Sequence, residues 1–268
     1  MGLAHGQMLA SEIQSLIPEV EDFIASQVDQ FLSSFPSWLQ ELIGKYGSEA
    51  ALDATYYLTK PYTPDYFYEE IQGTSEKTRF HLTTVGIADG SQMDFMRLVR
   101  IHMFPELIQA ACSMYGAWGP ALANTNGTLM QLRALDWSTN GPFQQQPAVI
   151  VYHPTSGGHE FAIVSWAGFI GTITGYSSVP MGLCEKVWDA YNKTSSRSGI
   201  PWHFLTRDIM QFDTDIDDAI NRIVNADRTC SVWLGIGDAN AQRFNAIGYS
   251  YEIVDIWDDH NFPQYAVS

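Results

Sequence analysis

The sequence predicts an α+β fold on three observations. Residues 1–111 carry apolar side chains at helical spacing, for example Leu9, Ile13 and Leu16. From residue 112 onward, segments rich in β-branched and aromatic residues are separated by turn clusters. The chain has 268 residues, of which 46% are hydrophobic, and no low-complexity tract or internal repeat divides it. This length and composition predict one compact unit with a sizeable core.

The first part of the chain is predicted to be mostly helical. The stripe that begins at Leu9 is expected to end before Pro18, because proline is favoured at the first position of a helix and is expected to open the next one. That second helix continues its apolar spacing to Leu32. Further helices are predicted over residues 36–45, 63–71 and 94–108.

The second part is predicted to contain strands, two helices and then strands again. Residues 113–119 and 128–137 are expected to form a hairpin around turn residues 124–127. The other predicted strands are 148–152, 160–166, 168–176, 229–235 and 246–257. Two helices are predicted over 185–192 and 215–225, the latter with Asp213 and Thr214 as capping candidates. This order is typical of a layered α+β fold.

A thiol and two charged side chains lie on the predicted hairpin. Cys112 stands at the start of its first strand, and Arg133 and Asp136 lie on its second. A thiol at this position faces residues of the neighbouring strand, so both charges are expected within its reach. This combination predicts a cysteine nucleophile with charged partners.

The motif Cys112…Asn126-Gly-Thr-Leu…Arg133-Ala-Leu-Asp136-Trp resembles the cysteine branch of the N-terminal-nucleophile hydrolases. That branch includes acid ceramidase, penicillin V acylase and isopenicillin N acyltransferase, and the chain is most similar to the acyltransferase-like members. Segments 4–6 and 68–73 are similar to the propeptide of the family. Segments 168–175 and 182–183 are similar to its second glycine-rich strand pair.

The resemblance implies a four-layer αββα sandwich with a helical prosegment. Residues 1–111 are the expected prosegment, or alpha chain, and residues 112–268 the expected catalytic part, or beta chain, in one structural unit. The catalytic part is shorter than the family leads us to expect, so C-terminal strands are expected to be missing. The two chains are expected to remain associated after cleavage.

The resemblance also implies a self-processing amidase. Such proteins cut themselves on the amino side of the cysteine, here between Ala111 and Cys112. The new α-amine, whose pKa is ordinarily roughly 7.7 to 8.0, then serves as the base for the thiol. Asp136 is expected to position this amine, and Arg133 to favour the thiolate and orient the carbonyl. The substrate is a linear acyl amide, whose acyl group is hydrolysed or transferred, and neither cofactor nor metal is implied.

At the position of the oxyanion donor the sequence departs from the family pattern. The family places an asparagine or tyrosine before a Gly-Leu pair, whereas the segment before Gly182 contains no asparagine. Tyr176 is the candidate there, and Asn261 is the nearest match to a second family asparagine, which follows a late strand in a turn before a phenylalanine. Such a donor contributes about 2.7 to 4 kcal/mol to the transition state. Alternatively, Tyr176 is a core residue and Asn261 a turn residue.

Three other interpretations remain open. Cys112 is a buried packing residue beside a surface Arg–Asp pair, or it pairs with His159 as in papain-like enzymes. The third interpretation is a non-catalytic binding or scaffold protein that keeps the fold. Cys184 and Cys230 lie in apolar segments and are predicted core residues.

Charge and aromatic content restrict the partners. With 14 basic and 30 acidic residues the formal net charge is −16, which argues against nucleic acid or an anionic membrane as the partner. A small-molecule acyl amide is expected instead. Five aromatic residues are candidates to line an acyl pocket or to pack in the core: Trp118, Trp137, Phe143, Trp166 and Phe169.

The expected localisation of the protein depends on whether a signal peptide precedes Met1. No secretory segment begins at Met1 and no apolar run approaches 18 residues. A cytoplasmic protein is expected, or a lysosomal or secreted one if a signal peptide precedes this start. Asn126 and Asn192 stand in glycosylation sequons, which also occur by chance.

Overall fold

The computed structural model describes residues 1–30, 32–35, 37–85, 94–107, 111–122, 128–136, 141–188, 191 and 196–262. The sequon residues Asn126 and Asn192 and the aromatic candidate Trp137 lie outside these ranges.

Six helices precede Cys112 in the described part of the chain, and two follow it. They are α1 Gly2–Met8, α2 Ala10–Gln30, α3 Ser37–Tyr46, α4 Ser48–Thr59, α5 Asp65–Val85, α6 Phe95–Leu107, α7 Trp202–Phe212 and α8 Ile216–Asn225.

The strands form two antiparallel sheets, which confirms the predicted α+β class. The strands are β1 Ala111–Ala117, β2 Met130–Asp136, β3 Pro147–Tyr152, β4 Phe161–Trp166, β5 Thr174–Ser177, β6 Met181–Val187, β7 Ser231–Asp238, β8 Arg243–Ser250 and β9 Val254–Trp257. Strands β1 and β2 pair with each other, and β3 to β9 form a seven-stranded sheet in sequence order.

Several predicted helices are correct, but the prediction for Pro18 is wrong. Pro18 lies inside α2, which runs through it from Ala10 to Gln30. A proline in a helix interior removes one backbone hydrogen bond. Here the side chains of Ile13, Ile17 and Val20 on both sides of it are buried, so packing holds the helix together. Helices α1, α4 and α7 have no counterpart among the predicted elements.

Three predictions in the second part are also wrong. Residues 185–192 do not begin a helix, because Glu185 to Val187 pair with β7 as the end of β6. The predicted strand 168–176 begins only at Thr174. The predicted strand 246–257 is two strands, since a turn in which Ser250 and Ile253 exchange hydrogen bonds reverses the chain.

The β1–β2 hairpin packs directly on β6 and β7 of the large sheet. This close approach is possible because the facing strands carry Gly182, Gly235 and Gly237. A Cβ atom on Gly182 would lie 2.6 Å from the Gln131 side chain. Gln131 instead donates hydrogen bonds to the Gly235 carbonyl at 3.0 Å and to the Cys184 sulfur at 3.1 Å.

Helix α7 connects the amino-terminal helices to the other face of the large sheet. Its Arg207 is fully buried and forms an ion pair with Glu70 of α5 at 2.6 Å. The Arg207 guanidinium also lies over the Tyr152 ring, 4.4 Å from its centroid. Beside this pair, the rings of Phe67 and Phe204 stack at 4.3 Å. Helices α5 and α7 therefore share a core.

We expect Gly235→Ala to destabilise the protein by about 1–3 kcal/mol, because the new Cβ would overpack the hairpin interface. It would lie 2.7 Å from the Cys184 sulfur and 2.8 Å from the Phe244 ring. The matched control is Gly44→Ala in α3, where nothing lies within 4 Å, with an expected stabilisation of about 0.5–1 kcal/mol. Denaturant unfolding measures both, and equal free energies of unfolding for the two variants would contradict the packing argument.

Candidate active site

Cys112 is buried on β1 and faces the large sheet, opposite Leu135 of β2. Side chains alternate along β2, so Arg133 points to the same side as the thiol. Arg133 Nη2 donates a hydrogen bond to Cys112 Sγ at 3.1 Å. The prediction that Arg133 lies within reach of the thiol is therefore confirmed by the geometry.

A third group, Glu185 of β6, completes the cluster. Its Oε2 atom lies 4.0 Å from Cys112 Sγ and 3.6 Å from Arg133 Nη2. The Arg133 and Glu185 side chains are only 9% and 5% exposed. The pairing of β5 with β6 ends at Thr174 and Cys184, so Glu185 stands just beyond the end of that ladder, beside the hairpin.

Sequence reasoning misses Glu185. The local pattern predicts a helix that begins at this residue, whereas residues 181–187 form a β-strand. One signal in the sequence points to it: this carboxylate follows Leu183 and Cys184 in an apolar run, where an unpaired charge is costly. A charged residue inside a β-strand pattern indicates a buried partner.

Burial and charge act in opposite directions on the thiol. Burial and the Glu185 carboxylate raise the pKa of Cys112, whereas Arg133 and a backbone hydrogen bond from Asp136 lower it. Burial raises the pKa of Glu185 to about 7, against the effect of Arg133 and Lys186. Near neutral pH Glu185 is therefore present in both its protonated and its ionised form, and a buried group with a shifted pKa of this kind is often found at catalytic sites.

Asp136 lies on the outward side of the hairpin, away from the sulfur. Its carboxylate accepts a hydrogen bond from Ser113 Oγ at 2.9 Å, and its backbone is paired with Ala111. The carboxylate is therefore next to the predicted cleavage site but is not in contact with the thiol. Its role toward a new α-amine stays a prediction.

The contacts described for the two oxyanion candidates do not involve the thiol. Tyr176 on β5 is 60% exposed and pairs with Gly182. Asn261 follows β9, where its Oδ1 accepts from the Asp258 backbone at 2.7 Å and its Nδ2 donates to the Ile256 carbonyl at 3.0 Å. Asn261 thus serves as a turn residue, which was the alternative interpretation.

Cys184, Cys230 and His159 do not belong to the cluster of Cys112, Arg133 and Glu185. Cys184 and Cys230 are buried, as predicted for core residues. The backbone of His159 bonds to Gln211 at the end of α7, at 2.9 Å, and the described contacts of Cys112 do not include it. The geometry therefore does not support a papain-like pair.

Residues of the cluster line two cavities. An inner cavity of about 50 Å³ is almost entirely apolar, and Arg133 and Glu185 are the charged residues on its wall. Its other lining residues are Leu16, Ile17, Val20, Ile101, Phe104, Pro105, Leu135, Phe143, Trp166, Ala167, Phe169, Ile173 and Trp202. Three of the five predicted pocket aromatics, Phe143, Trp166 and Phe169, are among them.

An outer cavity of about 730 Å³ opens to solvent beside Cys112. Trp118, another predicted pocket aromatic, lies here. The full lining is Cys112, Ser113, Met114, Tyr115, Gly116, Trp118, Lys186, Trp233, Phe244, Ala246, Trp257, Asp258, Asp259 and Phe262. Cys112 thus lines the outer cavity, while its partners Arg133 and Glu185 line the inner one.

None of the helices in the described ranges has the length and apolar character needed to cross a membrane.

Comparison with known proteins gives three relatives whose names state no activity. The chain is 48% identical over 277 residues to protein dcd1A of Dictyostelium discoideum, covering 98% of this chain and 59% of that protein. It is 40% identical over 273 residues to protein dcd1B of the same organism, covering 99% of this chain and 51% of that protein. No family model matches the chain.

A more distant relative is an uncharacterized protein of Archaeoglobus fulgidus, 22% identical over 261 residues. That match covers 91% of this chain and 40% of the archaeal protein. The chain spans about half the length of the curated relatives it matches.

We expect Glu185→Gln to weaken the pH dependence of stability. Folding raises the pKa of Glu185 from 4.5 to about 7, so the folded state holds the proton more tightly. The resulting stabilisation is complete below about pH 4.5 and is lost as the pH rises through 7. Between pH 5 and 8 the free energy of unfolding should fall by about 2 kcal/mol more in the wild type than in the variant. Denaturant titrations at several pH values measure this difference.

The control for this measurement is Glu252→Gln, an exposed carboxylate in the turn between β8 and β9. This variant should keep the wild-type pH dependence. If Glu185→Gln followed the wild type as closely as the control does, Glu185 would not titrate as a buried group.

We also expect opposite effects on the reactivity of Cys112 from its two charged partners. Glu185→Gln removes the negative charge and should shift alkylation of Cys112 by iodoacetamide to lower pH, by about 1 to 3 units. Arg133→Met should shift it to higher pH, whereas Arg133→Lys keeps the charge and should stay near the wild type. Peptide mass spectrometry follows each thiol. Burial raises the pKa of Cys184 to about 11, so this thiol serves as a slow internal reference.

Proposed function

We propose that the chain is a self-processing cysteine amidase of the N-terminal-nucleophile type, acting on a linear acyl amide. One observation carries this proposal: the buried Cys112 thiol lines an open cavity and contacts Arg133 and Glu185, which line an apolar cavity. A packing cysteine needs neither a buried ion pair beside it nor a place on the wall of an open cavity. The proposed αββα architecture agrees with a hairpin stacked on a larger sheet that carries α7 on its other face.

The first step is cleavage of the bond between Ala111 and Cys112. The uncut chain has no α-amine at Cys112, so another group must accept the thiol proton. Glu185, with a pKa of about 7 and Oε2 4.0 Å from the sulfur, is a carboxylate placed to accept it. The sulfur attacks the Ala111 carbonyl carbon, and the C–N bond breaks as nitrogen takes up the proton. Water then hydrolyses the thioester and restores the thiol.

In the mature enzyme the new α-amine replaces Glu185 as the base. It takes the thiol proton, the sulfur attacks the amide carbonyl of the substrate, and the proton passes to the departing amine as the C–N bond breaks. Water or a second amine then attacks the thioester, and the C–S bond breaks. Arg133 Nε is buried and lacks a hydrogen-bond partner among the described residues, so it is available to the substrate carbonyl.

The acyl group occupies the inner cavity. This cavity is apolar and leads to Arg133 and Glu185, which matches an acyl chain with a polar carbonyl at its end. A volume of about 50 Å³ holds roughly four water-sized groups, which favours short acyl chains. Leu16, Val20 and Phe104 form part of its wall, so the prosegment remains part of the active site after cleavage.

Buried polar contacts support continued association of the two cleaved chains. Besides the pair of Glu70 and Arg207, His5 accepts a hydrogen bond from the Gly168 backbone at 2.9 Å. His102 likewise accepts one from the Ile170 backbone at 3.0 Å. Separation of the chains would leave these groups without partners, which is costly.

Intact-mass spectrometry of the purified protein tests the proposal. We expect the wild type to give two fragments split between Ala111 and Cys112, and Cys112→Ala to give one uncut chain. Cys184→Ala, which removes a buried cysteine outside the Arg133–Glu185 pair, is the matched control and should be cut like the wild type. Size-exclusion chromatography should show that the two wild-type fragments elute together.

An uncut wild type at neutral and mildly acidic pH would overturn the proposed mechanism. It would favour the alternative of a binding or scaffold protein, which the exposure of Tyr176 and the use of the Asn261 side chain in its own turn also favour.

A further inference from the structure

We propose that the outer cavity binds the amine half of the substrate and selects amines that carry a positive charge. This inference rests on the proposed function, because it assigns the leaving group of that reaction. Cys112 belongs to the wall of the outer cavity, and the inner cavity is the apolar space for the acyl group. An amide whose carbonyl carbon reaches the sulfur then extends its amine half toward solvent through the outer cavity.

Aromatic rings form one wall of this cavity. The Trp233 and Trp257 rings meet edge to face at 6.1 Å, and Trp257 meets Phe262 in the same way at 5.4 Å. Trp118 and Phe244 lie 6.5 Å apart on the hairpin side. The faces of aromatic rings carry negative potential and attract ammonium groups, most strongly those of tryptophan.

Two carboxylates stand beside these rings. Asp258 and Asp259 directly follow β9 and line the cavity. Backbone hydrogen bonds from His260 and Asn261 lower the pKa of Asp258, so this carboxylate stays ionised at neutral pH. The formal net charge of −16 adds a long-range attraction for cations. Aromatic faces together with carboxylates match the chemistry of an organic cation.

Lys186 also lines the cavity, but its ammonium group interacts with Val187 and Glu185. Its ammonium donates to the Val187 carbonyl at 3.4 Å, and its charge helps to stabilise the ionised form of Glu185. Two carboxylates against one ammonium leave the described wall with an excess of negative charge. A neutral or anionic amine gains nothing from this excess.

The test compares two amide substrates of the same shape. They are the butyramides of 2-(trimethylammonio)ethylamine and of 3,3-dimethylbutylamine, which differ by a cationic nitrogen in place of a carbon atom. For the processed wild type we expect kcat/KM to be about tenfold higher for the cationic amide. This preference should fall severalfold in the double variant Asp258→Asn/Asp259→Asn, because both carboxylates are then neutral and only the aromatic faces still favour a cation. The new amide oxygen at position 258 can still accept the hydrogen bonds of the turn, so the fold of the cavity wall is retained.

A pair of single-charge variants separates the local effect from net charge. Asp259→Asn should reduce the preference for the cationic amide, whereas Glu252→Gln removes one carboxylate outside the cavity and should retain it.

Binding gives a second readout in the uncut Cys112→Ala protein. Choline should quench the tryptophan fluorescence of the cavity at lower concentration than 3,3-dimethylbutanol, its neutral analogue.

The outcomes distinguish this inference from the proposed function. Cleavage at Cys112 and turnover of both amides at equal kcat/KM, with equal binding of the two alcohols, would overturn the cation preference alone. An uncut wild type that hydrolyses neither amide would overturn the proposed function itself.

Discussion

The close contact between the β1–β2 hairpin and the large sheet is the constraint on which the site depends. Gly182, Gly235 and Gly237 remove side chains from the sheet surface, so the hairpin backbone can approach it. Gln131 fixes this approach by donating to the Gly235 carbonyl and to Cys184. At this separation the side chains that alternate inward along the hairpin, including Cys112 and Arg133, are forced into contact with β6. A larger spacing would leave the thiol in a solvated gap without Glu185.

The burial of Cys112, Arg133 and Glu185 in contact with one another determines the protonation of the cluster. A buried ion pair contributes little net stability, because desolvation offsets the attraction between its charges. Arg133 and Glu185 are therefore hard to explain as a device for stability. Their effect on protonation is larger, since burial brings the pKa of Glu185 to about 7 and the two partners act oppositely on Cys112. Near neutral pH the cluster therefore contains a carboxyl group that is partly protonated and partly ionised beside a thiol.

Local sequence pattern is enough to predict part of this arrangement. The hairpin, its Cys112–Arg133 contact and most amino-terminal helices follow from periodicity and turn residues. Glu185 cannot be placed in this way, because its position depends on where the β5–β6 ladder ends, which is a tertiary feature. The prediction for Pro18 fails for a related reason: the buried stripe on both sides of it outweighs its local preference. Asn261 is proposed from its sequence context as an oxyanion donor, but in the structure its side chain forms hydrogen bonds within its own turn.

The amino-terminal helices form part of the wall of the inner cavity, in addition to covering the site. The inner cavity has one wall from α2 and α6 and another from the strands after Cys112, so neither part encloses an acyl group alone. The outer cavity, by contrast, is lined in the described chain only by residues from Cys112 onward. Cleavage between Ala111 and Cys112 would therefore change the amine side while the acyl side stays intact, provided that contacts such as Glu70 with Arg207 hold the chains together. Under the proposed mechanism, self-processing creates the base at the wall of a leaving-group cavity that is already open to solvent.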